Sequence, residues 1–164
     1  FREGIAMLER VGSPALDAEY GNFAWDLAHY GRYFDDGIVY ARKSKALYQN
    51  RSAVDDSAQL GVNCTLAYCL VELGRVSEAI PLFRENLLAT LVHFYQKGGT
   101  IGELEIAAMN YAHCVVKDPS SMKKFDGECA ALEKEAYKKV HGDLKGYKPL
   151  INLTRNPNYP GFAN

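Results

Sequence analysis

The chain has 164 residues, 48% of them hydrophobic and 24% charged, with a formal net charge of −1. That length suits one domain with its own core, and the near-neutral balance lacks the basic face of a nucleic-acid binder and the polybasic segment of a membrane-surface protein. No apolar run approaches the roughly 20 residues of a spanning helix, and Arg2, Glu3, Glu9 and Arg10 break up any signal-peptide core at the N-terminus. The chain begins at Phe1 without an initiator Met, which suits a fragment or a processed product, and a signal removed earlier would leave no trace.

Helical periodicity runs through most of the sequence. Gly4 to Val11 reads as the tail of a helix that ends at Gly12-Ser13-Pro14, the second helix of an earlier unit. Helices are predicted from about Ala15 to Tyr30, broken at Gly31, and from Phe34 to Gln49, broken by Asn50-Arg51-Ser52. The next pair spans about Val54 to Leu73 and Val76 to Gln96 around Gly74, and Gly98-Gly99-Thr100 is the clearest break. A third pair covers about Ile101 to Val116 and Ser120 to His141, with Asp118 as a cap and Pro119 at the first helical position. After Gly142 the prolines and glycines preclude a long helix, leaving at most a turn at Leu150-Ile151-Asn152-Leu153. Tyr147, Leu150, Ile151, Leu153, Tyr159 and Phe162 are too apolar for a solvated tail, so this segment caps the open end of the stack, docks on a neighbouring domain or folds back into the groove.

The helices repeat. Trp25, Tyr68 and Tyr111 fall 43 residues apart, as do Phe23, Leu66 and Met109, and Ala28, Val71 and Cys114. Gly31 and Gly74 close the first two units, with Lys117 in the third slot. A fixed period of this kind marks a stacked-repeat protein, each unit burying its apolar face on the next. The units run about 15–53, 54–98 and 101–141, within a single domain over 1–164 and with a capping tail at 142–164.

The second unit resembles a tetratricopeptide repeat (TPR). Leu66-Ala67, Leu70, Gly74, Ala79-Ile80, Phe83 and Leu87 stand where that family places them. Small Ala67 and Ala79 let two helices approach, and Gly74 permits the positive φ that ends the first. The first unit fits at Tyr20, Phe23, Ala24, Leu27 and Gly31, with Asp35-Asp36-Gly37-Ile38 implying one extra turn residue; the third keeps Ile106, Met109 and Tyr111. A TPR unit is 34 residues, so nine extra residues lengthen the helices by about 13 Å in all. HEAT and armadillo arrays have periods nearer this one, but the glycine turn before an alanine-started helix favours the TPR. The resemblance implies an all-α, TPR-like right-handed superhelix of helical hairpins with a C-terminal capping segment.

It further implies that the first helices line a concave surface, with Trp25, Tyr68 and Tyr111 pointing into it as aromatic anchors. The same matching places Gly21, His29, Cys64, Glu72 and Val115 in the groove, and Asn22 and Thr65 stand beside them as hydrogen-bond partners for an extended peptide. The alternative is that the aromatics pack between helices. TPR domains that clamp a chaperone's carboxylate tail carry Lys and Asn at the slots held here by Gly21, Trp25, Cys64 and Tyr68, so that ligand does not suit this chain.

Searches for chemistry return no catalytic constellation. His29, His93, His113 and His141 lack ligand spacing, no P-loop, nucleophile elbow or dinucleotide fingerprint occurs, and Cys64, Cys69, Cys114 and Cys129 form no CxxC. Asp35, Asp36, Glu103 and Glu105 suit helix starts. The sequons at Asn50, Asn63 and Asn152 read as chance matches, and four unpaired thiols suit a reducing, cytoplasmic setting. The expected function is non-enzymatic binding of another protein or an extended peptide, without metal or cofactor, with no nucleic acid or membrane involved and the oligomeric state left open. Long-helix TPR variants occur in bacterial regulators that bind peptides. The alternatives are a bacterial immunity protein neutralising a toxin and a sensor or scaffold domain of a larger regulator.

Overall fold

The computed structural model describes residues 2–49, 56–116 and 119–150. Among these residues every regular element is an α-helix: α1 (Arg2–Val11), α2 (Leu16–His29), α3 (Phe34–Gln49), α4 (Asp56–Glu72), α5 (Val76–Lys97), α6 (Ile101–Val115) and α7 (Pro119–His141). The chain is therefore all-α. The breaks fall at the expected punctuation, with Gly12, Gly31, Gly74 and Gly98 all at positive φ. At Gly74 the Arg75 amide donates to the Leu70 carbonyl and the Gly74 amide to that of Val71, each at 2.8 Å. This pair of bonds is the Schellman motif, which satisfies the last carbonyls of α4 and needs the left-handed φ that glycine adopts without strain. The start of α6 is held by a capping box: the Glu103 amide donates to Thr100 Oγ1 at 3.3 Å, and Glu103 Oε2 accepts from the Thr100 amide at 2.9 Å. Asp118, the expected cap of α7, lies outside the described residues.

Two compact units emerge, Phe1–Leu82 and Phe83–Asn164, divided within α5. In the first, α1, α2, α3 and α4 pack together. Ile5, Tyr20, Phe23 and Leu27 form a buried cluster, with Leu16 and Tyr40 against it. Ala24 and Ala41 are wholly buried, and small residues there let helix backbones approach. Gly37 shows the tightest fit. A Cβ at this position would come 2.9 Å from Cys69 Sγ, closer than such contacts allow, and 3.5 Å from the Ala24 carbonyl, so any larger residue would force the packing of α3 on α4 to shift. Ser44 ties α3 to α2 by donating to the Asp17 carbonyl at 2.7 Å. At the outer edge, Glu9 accepts from the Tyr20 hydroxyl and pairs with Lys43 at 2.9 Å, joining α1 to α2 and α3.

In the second unit α6 packs on α7. Leu104, Ala108, Tyr111, Ala112, Phe125, Cys129 and Leu132 are among its buried side chains. The described part of the tail folds back on α7. The Tyr137 ring meets that of Tyr147 at 5.6 Å, and the Tyr137 hydroxyl donates to the Lys145 carbonyl at 2.9 Å. The expected turn at Leu150-Ile151-Asn152-Leu153, with Tyr159 and Phe162, lies past the described residues. No helix among the described residues is long and apolar enough to cross a membrane.

Candidate functional site

The site builds on α2 and α4. Positions 18, 22, 25 and 29 recur at i, i+4, i+7 and i+11 and so form one stripe along α2, and positions 61, 65, 68 and 72 form its counterpart on α4. Each position of the first stripe is 43 residues from its partner in the second. The two helices run parallel: Gly21 lies level with Val62, its absent Cβ 3.1 Å from Val62 Cγ2, and further along Gly37 bridges Ala24 and Ala28 to Cys69.

Between them lies an open groove of about 450 Å³. α2 contributes Ala18, Gly21, Asn22 and Trp25; α4 contributes Gly61, Val62, Cys64 and Thr65; α3 contributes Tyr48. The groove exists because the residues along it are small. A Cβ at Gly21 would strike Val62 and Ser44, so glycine there lets the helices close up beneath the groove. A Cβ at Gly61 would meet nothing within 4 Å, so glycine there leaves the groove empty.

The expected site residues divide into three groups. Trp25, Asn22 and Thr65 share the groove, together with Gly21 and Cys64. Trp25 is 56% exposed at its rim, with its ring stacked on His29 at 6.4 Å between centroids and 23° between planes. Asn22 is exposed, whereas Thr65 is buried and donates its hydroxyl hydrogen to the Gly61 carbonyl at 3.0 Å, so its proton serves the helix and not a ligand. Tyr68 and Glu72 lie outside the groove lining but continue the α4 stripe. Tyr68 is 43% exposed and meets the Phe34 ring edge-on at 6.0 Å; Glu72 is exposed at the last residue of α4.

Tyr111 departs from the expectation of a displayed anchor. It is 2% exposed in the second unit, edge-on to Phe125 at 5.2 Å, and its hydroxyl donates to Glu128 Oε1 at 2.6 Å. Glu128 in turn lies 3.7 Å from Arg84. Burial and the bond to this carboxylate push the Tyr111 hydroxyl well above its ordinary pKa. This ring is packed core.

Tyr48, Ala18, Gly61 and Val62 complete the lining without having been singled out by residue type. The 43-residue correspondence of position 18 with 61 was the available signal for two of them. Asn63 lies inside α4 with its side chain buried, which closes that sequon; Asn50 and Asn152 fall outside the described residues. The four cysteines are free thiols, and burial pushes Cys69 up to about 11 and Cys129 up to about 12, so neither offers a thiolate near neutral pH. Among the described residues no three His, Cys, Asp or Glu side chains converge as a metal site. What the groove offers is an indole face, an aromatic wall, a floor of small apolar residues and one exposed amide, which is the chemistry of recognition. No protein-family model, no curated protein and no solved structure matches this chain.

Proposed function

We propose that this chain is a TPR-like helical-repeat module that binds an extended segment of another protein, without catalysis, in the groove between α2 and α4. The observation that carries this reading is the groove itself, about 450 Å³ in volume and rimmed by a Trp25 ring left more than half exposed. An indole with an apolar floor beside it is a costly surface to leave in water, and aromatic rings in such positions act as binding anchors. Covering on the order of 100 Å² of the ring contributes roughly 2.5 kcal/mol before ordering costs are deducted. Repeat organisation is supported by the parallel, equivalent stripes on α2 and α4 and by the glycine turn that closes α4. Tyr68 extends the surface along the same stripe. Tyr111 has no part in it.

The test is affinity capture with wild type and with a Trp25→Ala/Tyr68→Ala variant of unchanged thermal stability, followed by titration of the captured protein in purified form. A partner that binds wild type and loses at least about tenfold affinity for the variant carries the reading. A partner held equally by both removes the groove as its site.

A further inference from the structure

The groove leaves open what kind of segment enters it, and the charges of its two helices bear on that. α2 contains Asp17, Glu19 and Asp26, and α4 contains Asp56 and Glu72; neither contains a single Lys or Arg, although the chain has 19. Asp17 is buried, but Glu19, Asp26 and Glu72 reach solvent. Glu19 and Asp26 flank Asn22 along one edge of the α2 stripe, and Glu72 ends the α4 stripe. Of the three cations of α3, Lys43 pairs with Glu9 at 2.9 Å and Arg42 approaches Glu78 at 3.6 Å, both away from the groove lining, and the third is Lys45. The exposed indole of Trp25 presents a π-face, the aromatic surface best suited to a cation.

We propose that the occupant is a cationic segment, an extended peptide stretch bearing Lys or Arg. Its aliphatic stems lie on the small-residue floor at Gly21 and Gly61, its charged heads sit over the Trp25 ring and toward Asp26 and Glu72, and Asn22 bonds its backbone. Long basic side chains suit this division because their stems are apolar and their heads are not. An acidic segment would face only like charge along both helices. This inference rests on the groove being the binding site.

Trp25 is the only tryptophan, so its fluorescence reports on the groove directly. The full chain is titrated with three sets of synthetic peptides of equal length and apolar content, one rich in Lys and Arg, one neutral and one rich in Asp and Glu. The cationic set alone should shift Trp25 emission, with affinity that falls as salt rises. Asp26→Lys/Glu72→Lys should weaken it by about tenfold or more, and the milder Asp26→Asn/Glu72→Gln by less. Should the reversal variant fail to fold by circular dichroism, the Asn/Gln variant reads the same effect. A neutral or acidic set that shifts the emission as strongly overturns the cationic inference and leaves the groove reading intact. Equal cationic binding by the charge variants also overturns it. Silence from all three sets overturns both.

Discussion

Tyr147 donates its hydroxyl hydrogen to Glu133 Oε2 at 3.0 Å, and the Leu150 amide donates to the same oxygen at 2.9 Å. Glu133 is wholly buried, so a single carboxylate on α7 holds down the start of the C-terminal segment by two bonds. A hydrogen bond of this kind contributes about 1–3 kcal/mol, and more is lost when a buried partner is left unpaired. Tyr147→Phe should therefore cost about 1–3 kcal/mol in denaturant unfolding. Glu133→Ala should cost more and speed hydrogen exchange at the Leu150 amide. Unchanged exchange in Glu133→Ala would mean that the segment is held by ring packing at Tyr137 and not by this carboxylate.

The second unit should also lose stability at alkaline pH. Burial, helped by the charge of Glu133, pushes the Tyr95 hydroxyl up to about 12. Burial and bonds to Glu128 and Glu133 raise Tyr111 and Tyr147 above the ordinary 10.0. As pH passes 10.0 the unfolded chain releases these protons while the folded chain keeps them. The folded state then binds more protons, so stability falls as pH rises. The urea midpoint should drop steadily from pH 10 toward about 12, and phenolate absorbance should rise late for a fraction of the eleven tyrosines. A flat midpoint across that window would show that these rings are open to water.

The clamp at the other end of the chain responds to acid. The bond from the Tyr20 hydroxyl, and then Lys43, hold the Glu9 carboxyl below its ordinary value of 4.5. A lowered folded pKa gives stability that is present above 4.5 and is lost as pH falls through the folded value. Both partners of the Lys43 pair are well exposed, so the effect is local and small. Amide protection factors in α1 should fall below pH 4.5 ahead of the rest of the first unit, and Glu9→Gln should leave α1 weakly protected at every pH. If α1 exchanged at the same rate in Glu9→Gln and in wild type, the packing of Ile5 alone would be holding the helix.

Local punctuation and period explain how much of this was legible in the sequence. The limits of α3 could be read outright, and those of α2, α5 and α6 to within a residue or so, because Gly31, Gly74 and Gly98 must take a backbone conformation that other residues avoid. The pairing of Asn22 with Thr65 and of Trp25 with Tyr68 follows from the 43-residue spacing alone. Exposure does not follow from spacing. Tyr111 keeps the 43-residue spacing of Trp25 and Tyr68, yet Phe125 and Glu128 of α7 enclose it, and a spacing says nothing of what covers a residue. Tyr48 was illegible for a related reason: it reaches the groove from α3 through tertiary packing that no periodicity on α2 or α4 encodes. Gly61 makes no turn, so nothing in the residue itself marks it as a groove residue.

Gly61 offers a test in which stability and binding move in opposite directions. A helical glycine costs roughly 0.5–1 kcal/mol relative to alanine, through backbone entropy. A Cβ at this position meets open space, so Gly61→Ala should stabilise the first unit by about that amount. The larger Gly61→Leu adds an aliphatic side chain at the groove lining. It should fold at least as well as wild type and displace whatever lies between Trp25 and Thr65. Most core substitutions lower stability and binding together, which hides the cause of lost binding. Here a rise in melting temperature with a loss of ligand would separate the two, because only an occupied groove makes filling it harmful. Gly61→Leu that is both stabilised and fully able to bind would place the ligand away from α2 and α4.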